Sequence, residues 1–347
     1  MKQLLFIFLV CILSAFGQSS VPNFKSLAPF PVGAAVSTYH LKHNPPYRKL
    51  IVDQFNSVTA ENAMKFEQLH PSQHEFRWSA ADELVNFARE KGMRVHGHTL
   101  IWAAKNPKWV KEFKGDRVAW QNLLRTHIQT IINHYKVNVH SWDVVNEAFT
   151  EEGTLKKSVW LEKLGPEYIE LAFRYAHEAD PEALLFYNDY GHEYGGKKLN
   201  AILKMVGDFK RKNVPIHGLG LQTHIVARIP EKNIRYGITA ASKSGLLIHI
   251  SELEISVKYN KPKAFLLDNQ LAQIQAQKYK AVFEAYAAIP KSQQFGITTW
   301  NVGDRDAFRN SGSKNRDHPM MFDYEYQPKP AFNAVVESLK ASTGKSR

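Results

Sequence analysis

Eight short apolar runs rich in β-branched residues, each followed by a helical stretch or a long loop, constrain this chain more than any other feature. They fall at 32–37, 55–60, 94–101, 139–146, 183–189, 218–223, 247–254 and 296–300. Continuous apolar runs of this length are what strands buried on both faces look like, and parallel sheets covered by helices are where such strands occur. Between them, Trp120, Leu123, Leu124, His127, Ile128, Ile131, Ile132 and Tyr135 keep the i, i+3, i+4, i+7 spacing of a helix with one buried face. A closing pattern of Phe332, Val335, Val336 and Leu339 follows Pro328 and Pro330, which mark its start. Eight such units predict an α/β fold, a (β/α)8 TIM barrel as a single domain over residues 28–342. A doubly wound nucleotide-binding sheet competes poorly. Gly218-Leu219-Gly220 opens an apolar strand and lacks the third glycine and following helix of a dinucleotide turn.

Residues 1–17 stand outside this pattern. Lys2 supplies a positive start, Leu4 to Leu13 an apolar run too short to span a bilayer, and Ala15-Phe16-Gly17 a small-x-small cleavage site. They predict a signal peptide, a secreted or periplasmic protein, and a mature chain starting near Gln18 with a short N-terminal segment over 18–27. The one cysteine, Cys11, lies in the predicted leader, so the mature chain has no disulfide, thiolate metal ligand or cysteine nucleophile. A formal charge of +12 favours acidic polymers: nucleic acid, anionic lipid or a polysaccharide bearing uronic acids. No nucleic-acid recognition motif accompanies the charge, and neither a nucleic-acid partner nor membrane insertion is expected.

In a barrel the chemistry collects at the C-terminal ends of the strands. Here those ends read TAENAMKFE (59–67), HGHTLIW (96–102), SWDVVNEAF (141–149), YNDYG (187–191), GLQTH (220–224), HISELEIS (249–256) and TTW (298–300). Glu147 and Glu252 each end an otherwise apolar strand, where a carboxylate is costly unless partnered or used. Two carboxylates converging on one pocket are what glycoside hydrolysis needs, one protonated to donate and one ionised to attack or to activate water. Salt-bridged strand ends are the plainer alternative. His96 and His98 alternate on one strand and fit either a metal pair or sugar binding, and the following Thr99 and Trp102 favour the latter. Asp304-Arg305-Asp306 lacks the alternating ligands of a calcium loop and reads as a hydrogen-bonded loop. Trp102, Trp300 and Tyr190, at strand ends, suit platforms for sugar rings, whereas Trp109, Trp120 and Trp160 suit the core.

Taken in order, TAENAMKFE, GHTLIW, WDVVNEAF, NDY, GLQTH, SELEI, TTW and MFDYEYQPKPAF resemble the glycoside hydrolase family 10 xylanases, over about residues 30–340. The resemblance implies a retaining endo-β-1,4-xylanase on a catalytic barrel, acting on xylan or xylo-oligosaccharides as a monomer without cofactor or metal. It makes Glu147 the acid/base and Glu252 the nucleophile, with their carboxyl groups about 5–5.5 Å apart. Asn146 would hold the sugar 2-hydroxyl, and Glu61, Asn62 and Lys65 the sugars on the non-reducing side. His98, Trp102, Gln222, His224 and Trp300 would line the cleaved residue, and Tyr190 the leaving-group side. His224 would keep Glu252 ionised, and burial without a cationic neighbour would keep Glu147 protonated. The chain departs from the family at Ala103-Ala104-Lys105, where a histidine usually follows the tryptophan, and at Asn301 in place of glycine. Phe308 replaces a tryptophan before Arg309, and Glu254 replaces an aspartate that orients the histidine. Residues i and i+2 of a strand share a face, so Glu254 is expected to reach His224. These departures leave open a relative retuned to a decorated xylan or another β-glycoside, and, more remotely, a non-catalytic glycan-binding barrel.

Overall fold

A computed structural model describes residues 21–258, 265–310 and 316–344. The predicted leader and residues 18–20 lie outside them. Nine strands run in chain order among the described residues: β1 (Val32–Val36), β2 (Ser57–Ala60), β3 (Arg94–Trp102), β4 (Ser141–Asn146), β5 (Leu184–Asp189), β6 (Gly218–Leu221), β7 (His224–Val226), β8 (Leu247–Ser256) and β9 (Gln294–Thr299). Each of β1 to β5 pairs with the next, β6 pairs with β8, and β8 and β9 lead back to β1, every pairing parallel. Eight strands thus close the (β/α)8 barrel expected from the eight apolar runs.

One expected strand differs. The run 218–223 stops at Leu221, and the chain resumes as β7, which pairs with β8 through His224 and Glu254. The break falls at Thr223, whose φ of 62° lies in the left-handed region that a β-branched residue seldom enters.

The barrel is filled from below by side chains meeting across its axis. Arg94 stacks 3.8 Å over the Phe295 ring, and His96 meets Phe186 and His249 edge-on, with centroids 5.4 and 4.8 Å apart. Close passage of β3 and β4 requires Gly97, because a Cβ there would stand 2.1 Å from the Trp142 ring.

Helices cover the outside. Arg117–Tyr135 begins where Asp116 accepts a hydrogen bond from the Ala119 amide at 2.9 Å, and it buries Trp120, Leu124, His127, Ile128, Ile131, Ile132 and Tyr135. Each such aliphatic side chain stabilises the fold by about 1.5–3 kcal/mol through its removal from water. Trp120 and Trp160 are core residues, as expected, and Trp109 is partly buried against the same core. Upstream of the barrel, Asn23 caps a short helix, Phe24–Leu27, whose Phe24 lies buried against Phe55, Phe283 and Phe332. Among the described residues no helix is long and apolar enough to cross a membrane.

Candidate active site

The twelve residues singled out from the strand ends all line one cavity of about 570 Å³ at the barrel mouth: Glu61, Asn62, Lys65, His98, Trp102, Asn146, Glu147, Tyr190, Gln222, His224, Glu252 and Trp300. Their strands are far apart in sequence but adjacent around the barrel, so closure alone brings their polar ends together.

Glu252 is a buried residue of β8. Its Oε1 accepts from Asn188 Nδ2 at 2.8 Å, and its Oε2 lies 3.0 Å from His224 Nε2. Burial alone would raise this carboxyl, but the hydrogen bond and charge of His224, with His98 and Asn188 adding to them, hold it below the ordinary glutamate range. On its other side His224 Nδ1 lies 2.8 Å from Glu254 Oε1, and Arg309 Nε stands 2.8 Å from that same oxygen. The longer side chain of Glu254 therefore reaches the imidazole as expected. Burial opposes a charge on His224, yet the hydrogen bonds it donates to Glu252 and Glu254, with their charges, raise it to about 10. The result is a chain of alternating charge, Glu252, His224, Glu254 and Arg309, set into the cavity wall.

Glu147 faces this chain from the end of β4. The strand stops at Asn146 because Glu147 takes a left-handed φ of 57°, with its N–H donating to Asn188 O at 2.9 Å. Its Oε1 accepts from Gln222 Nε2 at 3.2 Å and from Asn146 Nδ2 at 3.4 Å. The expectation that Glu147 lacks a cationic neighbour is corrected by Lys156, whose Nζ is 3.7 Å from Glu147 Oε2. Lys156 sits in the loop after β4, held 3.3 Å from Tyr190 Oη and over the Tyr190 ring. Nothing in the spacing of the strand ends announces a cation arriving from that loop.

Amides tie the two carboxylates into one network. Asn146 Oδ1 accepts from Asn188 Nδ2 at 3.0 Å and from Gln222 Nε2 at 3.1 Å, while Asn188 also donates to Glu252. Asn188 has room only because residue 220 is glycine, since a Cβ there would stand 2.1 Å from Asn188 Oδ1. With both Asn146 Oδ1 contacts made by protein donors, the side chain turns its Nδ2 towards Glu147 and the cavity.

Below these groups Asp143, fully buried, binds His98 Nδ1 at 2.8 Å and lies 3.1 Å from His96 Nε2. Burial would raise Asp143, but the two histidines hold it far below the ordinary aspartate range. The two rings are thus oriented by one carboxylate. At the opposite wall Glu61 is raised and Lys65 lowered, each chiefly by burial. Lys65 Nζ bonds Asn62 Oδ1 at 3.0 Å and lies 5.3 and 5.6 Å from the Trp102 and Trp300 rings. Trp300 was expected as an open platform; only 4% of it is exposed, since His98 and His224 abut it edge-on. Tyr190 is 37% exposed and presents more open ring than Trp300.

Asn301 takes a φ of 92°, which accounts for glycine being the alternative at that position. Its Oδ1 accepts from the Phe308 N–H at 2.8 Å and ties the loop carrying Phe308 and Arg309 to the end of β9. Asp304-Arg305-Asp306 is a hydrogen-bonded loop, with Asp306 accepting from the Val302 and Gly303 amides. Besides Lys156, the lining or supporting residues that escape a reading of strand ends include Asn188, Glu193, Tyr194 and Arg309. Asn188 carried a signal, an amide on an apolar strand; Glu193 and Arg309 sit in loops whose course the local pattern does not specify.

Residues 24–338 match the profile of Glycosyl hydrolase family 10. The chain is 37% identical to endo-1,4-beta-xylanase B of Paenibacillus barcinonensis, over 88% of this chain and 95% of that protein. It is 36% identical to endo-1,4-beta-xylanase A of Thermoanaerobacterium saccharolyticum and 35% identical to exoglucanase XynX of Acetivibrio thermocellus, each over 93% of this chain. It spans only 28% and 30% of the lengths of those two relatives. The crystal structure of xylanase 10B from Thermotoga petrophila in complex with xylobiose superposes with a TM-score of 0.86 at 32% identity, over 94% of this chain and 99% of that one.

Proposed function

The chain belongs to glycosyl hydrolase family 10, and from that premise we propose that it is an endo-1,4-β-xylanase cutting internal xylosidic bonds with retention at the anomeric carbon. The observation that carries this reading is the chain Glu252, His224 and Glu254 lying in the same cavity as Glu147. Glu252, ionised beside the His224 cation, attacks the anomeric carbon while Glu147 protonates the departing oxygen. The covalent glycosyl-enzyme then yields to a water whose proton Glu147 takes back. Asn146 Nδ2 receives the 2-hydroxyl, a contact that strengthens as positive charge develops on the ring. Glu61, Asn62 and Lys65 bind sugars on the non-reducing side. His98, Trp102, Gln222, His224 and Trp300 surround the cleaved residue, and Tyr190 meets the leaving group. The two carboxylates supply both nucleophile and proton, so the scheme uses no cofactor.

A second reading, a relative retuned to a decorated xylan or another β-glycoside, is favoured by the 58% exposure of Phe308 at the cavity rim and by alanines following Trp102. The exoglucanase among the similar proteins supports keeping it. Incubation with glucuronoxylan, arabinoxylan and mixed-linkage β-glucan separates the two. Short xylo-oligosaccharides from the xylans alone, appearing first as β-anomers by NMR, support the proposal; release from the glucan alone, or α-anomers first, overturns it. Export rests on the leader pattern in residues 1–17, and N-terminal sequencing of protein recovered outside the cytoplasm tests it. A monomer is proposed as well, and sedimentation at working concentration tests that.

A further inference from the structure

Beside the cavity, and sharing Asn62, Lys65 and Trp102 with it, lies a smaller pocket of about 190 Å³ that extends to Phe66, Glu67 and Lys105. Two cations stand close to one ring here: Lys65 Nζ is 5.3 Å and Lys105 Nζ 5.0 Å from the centre of the Trp102 indole. Among the described residues neither lysine is ion-paired within 4.0 Å, and Lys65 donates to the neutral Asn62 amide oxygen. Burial lowers Lys65 most, the charges of Glu252, Glu61 and Glu147 in the cleft support its own, and Lys105 acts against it. Glu67 is the one carboxylate on the pocket wall, and it is exposed. Ala103 and Ala104, between Trp102 and Lys105, place no side chain beyond a methyl in the way.

We infer that this pocket, on the non-reducing side of the cleft, receives an acidic side group of the polysaccharide, with Lys105 the specificity-determining cation for its carboxylate. The inference rests on the proposed xylanase reading and adds to it a preference for chains bearing uronic acid branches. A hexuronic acid branch has the required parts: an apolar ring face for the Trp102 edge of the pocket and a carboxylate for the Lys105 ammonium. Carboxylate recognition of this kind is partly solvated, so salt weakens it.

The test compares kcat/KM on a linear xylohexaose and on a xylohexaose carrying one glucuronic acid branch, for the wild-type chain and for Lys105→Gln and Lys105→Glu. The expected result is about a three- to tenfold loss on the branched substrate for Lys105→Gln, more for Lys105→Glu, with less than about a twofold change on the linear one. In the wild type the branched-to-linear ratio falls as salt is raised from about 10 to 500 mM, and in Lys105→Gln it does not. Equal effects on both substrates, or a salt response that survives Lys105→Gln, overturn the assignment of Lys105 while leaving the xylanase reading in place. Failure of the wild type to cleave either substrate removes the xylanase reading and this inference together. Because Lys105 is exposed and outside the core, the variants are expected to fold, and circular dichroism checks it.

Discussion

His224 Nε2 lies 3.0 Å from Glu252 Oε2, so the residue proposed to attack the sugar is held by a cation that is itself held from behind. The second holder is Glu254, one methylene longer than the aspartate expected there, and it is shared with Arg309. This arrangement makes the charge on His224 measurable. With His224 raised to about 10, its ring signals should remain those of an imidazolium through pH 8 in an NMR titration. In Glu254→Gln one of the two supporting charges is gone, and the same signals should titrate at lower pH. A ring already neutral at pH 7 in the wild type would remove the account given for Glu252.

The same pair sets a pH window for stability. His224 is raised above its unfolded value, so its contribution is complete below about pH 6.5 and is lost as pH rises through about 10. Glu252 is depressed, so its contribution is present above the ordinary glutamate value of about 4.3 and is lost as pH falls below it. Denaturant midpoints measured from pH 4 to 10 should therefore plateau between these limits. His224→Gln should lower the midpoint most within that plateau, below about pH 6.5, and progressively less as pH rises towards 10.

Replacement of Glu252 by Gln should cost on the order of 10⁵ or more in kcat with the fold intact, since it removes the attacking oxygen anion. Glu147→Ala should behave differently. On aryl glycosides with acidic leaving groups the first step needs no proton, and added azide should restore turnover and give a β-glycosyl azide. If both variants lost activity alike on every substrate and azide rescued neither, the two roles would not be those proposed.

Asp143 is fully buried and orients His96 and His98 together. Removing one partner of such a cluster leaves the others buried without compensation, so Asp143→Ala should destabilise the chain by about 3–5 kcal/mol. Urea unfolding should show a lower midpoint at unchanged slope. An unchanged midpoint would mean that the histidines are held by other contacts.

Asn301 combines a positive φ with a hydrogen bond that anchors the Phe308 amide. Asn301→Gly loses the bond and relieves the backbone, whereas Asn301→Ala loses the bond and keeps the strain. The alanine variant should thus be the less stable of the two, by about 1 kcal/mol. Thermal melts of the pair give the comparison, and an alanine variant as stable as the glycine one would show that the backbone at 301 is unstrained.

The eight barrel strands were legible because a strand buried on both faces has to be apolar along its whole length, and the polar residues that interrupt it therefore stand out. That is why Glu147, Glu252, Asn146, Gln222 and His224 are visible in the chain before any fold is known. The break between Leu221 and His224 was not legible, because it depends on one left-handed residue, Thr223, whose own type disfavours that conformation. The near-complete burial of Trp300 was hidden for another reason: it is imposed by His98 and His224 from other strands.

By itself, then, the sequence determined the order of the strands and which chemical groups stand at their ends, since local burial constrains residue type one strand at a time. Tertiary structure alone decided which of those groups meet. Whether Lys156 stands beside Glu147, whether Arg309 shares Glu254 with His224, and whether two lysines face one indole all depend on distances between loops. Charge interactions fall off over a few ångströms and strengthen where water is excluded, so only barrel closure, which sets both distance and burial, could assign those partners.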